Sequence, residues 1–157
     1  MERALDPSKL GDHIDRLYRA AWALCGSRED AEDLVQETFA RVLARPRLLR
    51  KENDVGYLLR ALRNTFFLTK RTESRRPRTA PLPEEHEVAD VRQTGPETRE
   101  VYGAVAALPA DFRDVLVAVD VAGLSYKEAG RALGIAEGTV MSRLYRARQQ
   151  VIRRLDG

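Results

Sequence analysis

Residues 123 to 151 read GLSYKEAGRALGIAEGTVMSRLYRARQQV, and no other stretch restricts the fold as tightly. Ser125 is placed to cap a helix, with Glu128 three residues on in the capping-box arrangement. Ala129, Ala132 and Leu133 face inward, and Gly134 can take the left-handed conformation that ends a helix. After a short break a second helix follows. Its buried stripe is Val140, Leu144, Ala147 and Val151, at i, i+4, i+7 and i+11. Gly130 falls where the two helices approach most closely, and Ile135 plugs the angle between them. The pattern predicts a helix-turn-helix whose second helix is shaped for the major groove of DNA. An ordinary helical hairpin with a solvated basic face would not need small residues at 130 and 134 with Ile135 and Val140 at matching offsets.

If that stripe is buried, the opposite face is exposed: Gly138, Met141, Ser142, Tyr145 and Gln149. These side chains are placed to reach base edges. Arg143, Arg146 and Arg148 flank them and suit phosphates or guanine. Gly138, at the helix start, lets the backbone come near a phosphate, where free N–H groups favour an anion.

The net charge of the 157-residue chain is only +3, so the placement of charge matters more than its sum. Arg60, Arg63, Lys70, Arg71, Arg75, Arg76 and Arg78 form one basic cluster. Arg143, Arg146, Arg148, Arg153 and Arg154 form another. Two clusters suggest two contacts with a polyanion; the competing reading of each is a solvated helix face. The single cysteine, Cys25, excludes an internal disulfide and lies on an apolar stripe as a small hydrophobe. His13 and His86 lie far apart, and no phosphate loop, nucleophile–base pair or metal cluster is present, so no catalytic role and no cofactor is expected. No apolar run is long enough to cross a bilayer, and the first residues lack a secretory h-region. A reducing cytoplasm fits.

Leu10, Ile14, Leu17, Tyr18, Ala21, Leu24 and Cys25 predict a first helix, stopped by Gly26. Ser27 can cap the next, which carries Ala31, Leu34, Val35, Thr38, Phe39 and Val42 inward and ends near Pro46. Residues 47 to 54 read as a loop. Residues 55 to 62 and 65 to 70 read as two helical pieces broken near Asn64, with Tyr57, Phe66 and Phe67 as core. Residues 77 to 96 hold four of the seven prolines and read as an extended linker. Two further stripes, Val101, Val105, Leu108 and then Phe112, Val115, Leu116, Val119, lead into the helix-turn-helix. With no strand-like alternation, the expected fold is all-α: two small helical domains, 1–76 and 97–157, joined by a flexible linker at 77–96. Each is small enough to be only marginally stable alone.

The segments jointly resemble the sigma-70 family. ALPADFRDVLVAVDVAGLSYKEAGRALGIAEGTVMSRLYRARQQV is similar to region 4, AEDLVQETFARVL to region 2.2, and VGYLLRALRNTFFLTKRTESRRP to regions 2.3 and 2.4. Two such domains in a chain this short resemble the extracytoplasmic-function (ECF, group 4) sigma factors. The resemblance implies several roles. Asp33, Gln36 and Glu37 would meet the clamp helices of the RNA polymerase beta-prime subunit, with the beta subunit also in contact. Asn64 would read a flipped base of the minus-10 element, with Arg63, Lys70, Arg71, Arg75 and Arg76 along its backbone. Gly138, Met141, Ser142, Arg143, Tyr145, Arg146 and Arg148 would read the minus-35 duplex. An anti-sigma factor, often membrane-bound, is the implied regulator and would hold the chain at the membrane without inserting it.

The chain departs from the family pattern at Met141, where a basic residue is common, and at Ala136, where a Ser or Pro is common. It also departs at Tyr57, often Trp, and at Gly130, usually Ala. Three rival readings are a helix-turn-helix regulator that never touches polymerase, a sigma mimic that titrates an anti-sigma factor, and an enzyme acting on nucleic acid.

Overall fold

The structure, a computed structural model, describes residues 3–4, 10–44, 48–49, 54–75 and 96–157. Seven α-helices carry the described fold: α1 Leu10–Cys25, α2 Arg28–Ala44, α3 Asp54–Arg75, α4 Pro96–Ala106, α5 Ala110–Leu116, α6 Tyr126–Leu133 and α7 Glu137–Asp156. A π-helical turn, Val117–Val121, extends α5. Arg3–Ala4 and Leu48–Leu49 form a two-residue antiparallel pair, the second strand inside the stretch 47 to 54 expected to be a loop. The expected linker at 77–96 lies outside the described residues, apart from Pro96 at the start of α4.

Local sequence explains the helix boundaries. Gly26 closes α1 at φ 73°, donating its N–H to the Trp22 carbonyl at 2.7 Å. Ser27 then opens α2: its carbonyl accepts from Ala31 N–H at 3.0 Å and its Oγ from Asp30 N–H at 3.4 Å. Within α2 the buried Thr38 bonds its hydroxyl back to the Leu34 carbonyl at 2.7 Å, so an internal polar side chain sits in the core without an orphaned group. Pro109 starts α5, its carbonyl accepting from Phe112 and Arg113.

Helix α3 corrects the expected break near Asn64: it runs unbroken from Asp54 to Arg75. Thr65 bonds its hydroxyl to the Ala61 carbonyl at 2.8 Å, and Leu62 and Phe66 are buried on either side of Asn64. Tertiary packing outweighs the weak helix preference of the Arg63-Asn64-Thr65 run. Tyr57 and Phe66 are buried, as the core reading requires, and Phe67 packs partly buried against them. Ile14 and Val101 depart from their stripes: they are 43% and 38% exposed.

The two halves of the chain share one core. Helix α1 packs on α2 and α3, and also on α4 and the π turn; α3 packs on α6. Leu17, Ala20, Ala21 and Trp22 of α1 join one buried cluster with Val105 of α4 and Val117 and Ala118 of the π turn. The alanines let these helices approach closely. Trp22 meets Tyr102 edge-on across the junction, ring centroids 4.9 Å apart, a favoured aromatic geometry.

Candidate functional site

The capping box of α6 is complete. Glu128 N–H donates to Ser125 Oγ at 3.1 Å, and Ser125 N–H donates to Glu128 Oε1 at 2.8 Å. Gly134 ends α6 in the left-handed region at φ 71°. Gly130 sits under the turn: a Cβ there would lie 2.8 Å from the Ile135 carbonyl oxygen, closer than real Cβ atoms come. The Ile135 N–H in turn donates to the Gly130 carbonyl at 2.9 Å, which fixes the crossing of α6 and α7. Ala136 caps α7 with extended geometry and no side-chain bond, so that helix starts without a polar cap.

Val140, Leu144, Ala147 and Val151 are buried, so α7 shows the opposite face to solvent. Met141 is 51% exposed and Tyr145 66%, large values for apolar and aromatic side chains. Gly138, Ser142 and Gln149 are exposed beside them. Ser142 donates to the Thr139 carbonyl at 3.2 Å, so its hydroxyl oxygen keeps its acceptor capacity. The flanking arginines divide. Arg148 is clamped to Asp120 of the π turn by two bonds, Nε to Oδ2 at 2.9 Å and Nη2 to Oδ1 at 2.7 Å. That carboxylate raises the Arg148 pKa above an already high ordinary value. Arg146 is exposed and Arg143 half-buried; neither forms an ion pair among the described residues. No sequence signal marked Asp120 as the Arg148 partner, because the pairing depends on the π turn.

The acidic face lies on α2. Asp33, Gln36 and Glu37 are all exposed there, and Glu37 holds Arg41 at 2.9 Å. Asp30, Asp33 and Glu37 line one wall of a cleft of about 270 Å³, and Phe66, Thr69 and Lys70 of α3 line the other. The cleft brings acids of the expected polymerase set beside Lys70 of the expected minus-10 set, and it adds Asp30, which the sequence reading left out of the site.

The expected minus-10 residues spread along α3. Asn64, Lys70 and Arg71 are exposed. Lys70 holds its ammonium 5.6 Å from the Phe66 ring centroid, and Arg63 stacks 4.8 Å from that of Phe67. Arg63 also donates its Nε hydrogen to Asp114 of α5 at 2.7 Å. The backbone of Arg75 closes α3, and Arg76 lies outside the described residues. Among the described residues, no group of three or more His, Cys, Asp and Glu could hold a metal, and no helix is long and apolar enough to cross a membrane.

Comparison with known proteins accounts for both halves. Sigma-70 region 2 matches residues 10–76, and Sigma-70, region 4 matches residues 98–151. The ECF RNA polymerase sigma factor SigE of Mycolicibacterium smegmatis is 38% identical over 88% of this chain, which spans 57% of that relative's length. The ECF RNA polymerase sigma factor SigM of Mycobacterium tuberculosis is 32% identical, the match covering 91% of this chain and 73% of SigM. Among solved structures, the sigma factor RpoE of Bartonella quintana, crystallised with the anti-sigma factor NepR, superposes at a TM-score of 0.71. It is 26% identical, with 95% of each chain covered. CnrH in complex with the cytosolic domain of CnrY shares the fold, at a TM-score of 0.65 and 21% identity over 95% of this chain and 86% of CnrH.

Proposed function

The chain belongs to the sigma-70 family, with regions 2 and 4 both present and ECF sigma factors among its relatives, and from this premise we propose how its surfaces work. The protein binds core RNA polymerase, directs it to a two-part promoter, helps open the minus-10 region and leaves the chemistry to the polymerase. The observation that carries this reading is the exposed face of α7, Met141 to Tyr145, on a helix-turn-helix joined in one chain to a region 2 domain.

Each surface has a division of labour that its chemistry supports. The α7 face enters the major groove of the minus-35 element. Arg143 and Arg146, without ion-pair partners among the described residues, take phosphates or guanine. Met141 offers an apolar contact, suited to a thymine methyl. On α3, Asn64 reads an extruded base, with Lys70, Arg71 and Arg75 along the strand and Arg63 beside them; Arg76, next in the sequence, would join them on the strand. On α2, Asp33, Gln36 and Glu37 set register against the basic coiled coil of the beta-prime subunit, and the chain also touches the beta subunit. The RpoE relative is in complex with an anti-sigma factor, and its match over nearly the whole chain supports a partner of that class here.

A helix-turn-helix regulator that never touches polymerase would not need the α2 face. Mixing the full chain with core polymerase tests this: the two should co-elute, and Asp33→Lys with Glu37→Lys should abolish co-elution without loss of helix content. Failure of the wild-type chain to co-elute would favour the regulator.

A further inference from the structure

Arg148 differs from its neighbours in how firmly its head group is set. Its side chain is 47% exposed, yet the guanidinium is held side-on: Nε donates to Asp120 Oδ2 at 2.9 Å and Nη2 to Oδ1 at 2.7 Å. Those two bonds use one edge of the fork and leave the Nη1 hydrogens to a further acceptor. Tyr126, at the first position of α6 and 37% exposed, adds to the upward pull of Asp120 on the Arg148 pKa, so its hydroxyl borders the same head group. The clamp depends on the π turn. Ala122 N–H reaches back to the Val117 carbonyl at 2.8 Å, and this wide turn keeps Val117 and Ala118 buried while Asp120 comes out beside α7. At this exposure an ion pair adds little to stability; what two parallel bonds add is a fixed orientation. Arg148 also continues a line of exposed side chains, because Met141, Tyr145 and Arg148 stand at i, i+4 and i+7 along α7.

We propose that Asp120 is a positioning residue for the upstream element: it holds Arg148 so that the Nη1 edge meets one DNA phosphate beside the bases that Met141 and Tyr145 reach. The proposal rests on the reading that α7 enters the major groove of that element. The contact sets register rather than general attraction. A free arginine on a DNA-facing helix is drawn to any phosphate and strengthens non-specific binding by counterion release. An arginine whose charge is matched by a carboxylate adds little of that attraction, and its hydrogen bonds form only where a phosphate falls on the fixed edge. Asp120 is itself an anion and repels DNA. On charge alone its removal would tighten binding to every sequence, so the direction of the effect separates positioning from attraction.

The test uses holoenzyme reconstituted from the full chain and core polymerase. Two duplexes are compared at several salt concentrations. One carries the upstream element enriched from a random pool by the wild-type holoenzyme, and the other has random sequence. Asp120→Asn should lower the preference for the selected duplex about tenfold, leave random-duplex binding no weaker and steepen the salt slope by up to about 1. Arg148→Lys keeps the charge and loses the fork. It should lower the preference by a similar factor with the slope unchanged, and it carries the test if Asp120→Asn fails to fold. Joining the two substitutions should cost no more than either alone, because the pair acts as one unit. Tighter binding of Asp120→Asn to both duplexes alike overturns the proposal, since Asp120 then acts only through its charge. Equal weakening on both duplexes overturns it too, since the clamp then only supports the fold, and so does an unchanged preference. A wild-type holoenzyme that enriches no upstream element sinks the promoter reading and the proposal with it; enrichment that the variants leave untouched sinks the proposal alone.

Discussion

Arg146 and Arg148 look alike in the sequence, two positions apart on one basic helix, yet the structure gives them different work. Arg148 is held by both oxygens of Asp120, whereas Arg146 is exposed with no ion pair among the described residues. Arg146→Ala should therefore weaken duplex binding at the upstream element and, where the side chain meets a phosphate, lower the salt slope by about 1, measured by titration of promoter DNA at several salt concentrations. Arg148→Ala should change that slope less, because its charge is already matched. Equal slopes would show that the Asp120 clamp opens on DNA. Asn64, exposed on α3, gives the complementary test. Asn64→Ala should spare upstream binding and impair strand opening, read by permanganate reactivity of unpaired thymines; equal loss of both would contradict the division between the halves.

Among the elements, the helix-turn-helix was the most legible, because its boundaries rest on local chemistry. Ser125, Glu128 and Gly134 do their work within a few residues of themselves, and the stripe from Val140 to Val151 needs only the helical period. The same locality makes cap energetics predictable. Ser125→Ala removes a complete capping box and should cost about 1 kcal/mol by chemical denaturation. Ala136→Ser supplies a missing cap to α7 at a position already extended, φ −67° and ψ 149°, and should gain about 0.5–1 kcal/mol. No gain would mean that the backbone there does not present Thr139 N–H to the new hydroxyl. Helix α3 was misread for the opposite reason. Its middle is weak in local preference and is held by Leu62, Phe66 and the Thr65 back-bond, which a propensity argument does not weigh. The π turn was not legible at all: it lengthens α5 by one irregular turn whose value lies in where it puts Asp120.

At the scale of the whole molecule, periodicity shows which faces are apolar and not which partner covers them. Trp22 and Tyr102 meet across the two halves, and neither belongs to a stripe that the helical period picks out. The shared core gives closure a measurable signature. Burial pushes the Tyr102 hydroxyl above its ordinary 10.0, and burial does the same for Tyr18 on α1. A group whose folded pKa is raised lends stability below the unfolded value and loses it as pH climbs through the folded one. Stability should therefore fall as pH rises above 10.0, and Tyr102→Phe should flatten that fall in denaturation curves taken across this range. An unchanged pH profile would place Tyr102 outside the core.

On this reading one chain carries both a polymerase-docking half and a promoter-reading half. Run-off transcription tests it most directly, with purified chain, core polymerase and templates enriched from a random promoter pool by binding to the reconstituted holoenzyme. Transcripts should start at one position downstream of two shared sequence elements and should require the added chain. A holoenzyme that forms but yields no chain-dependent transcript on any selected template would contradict it.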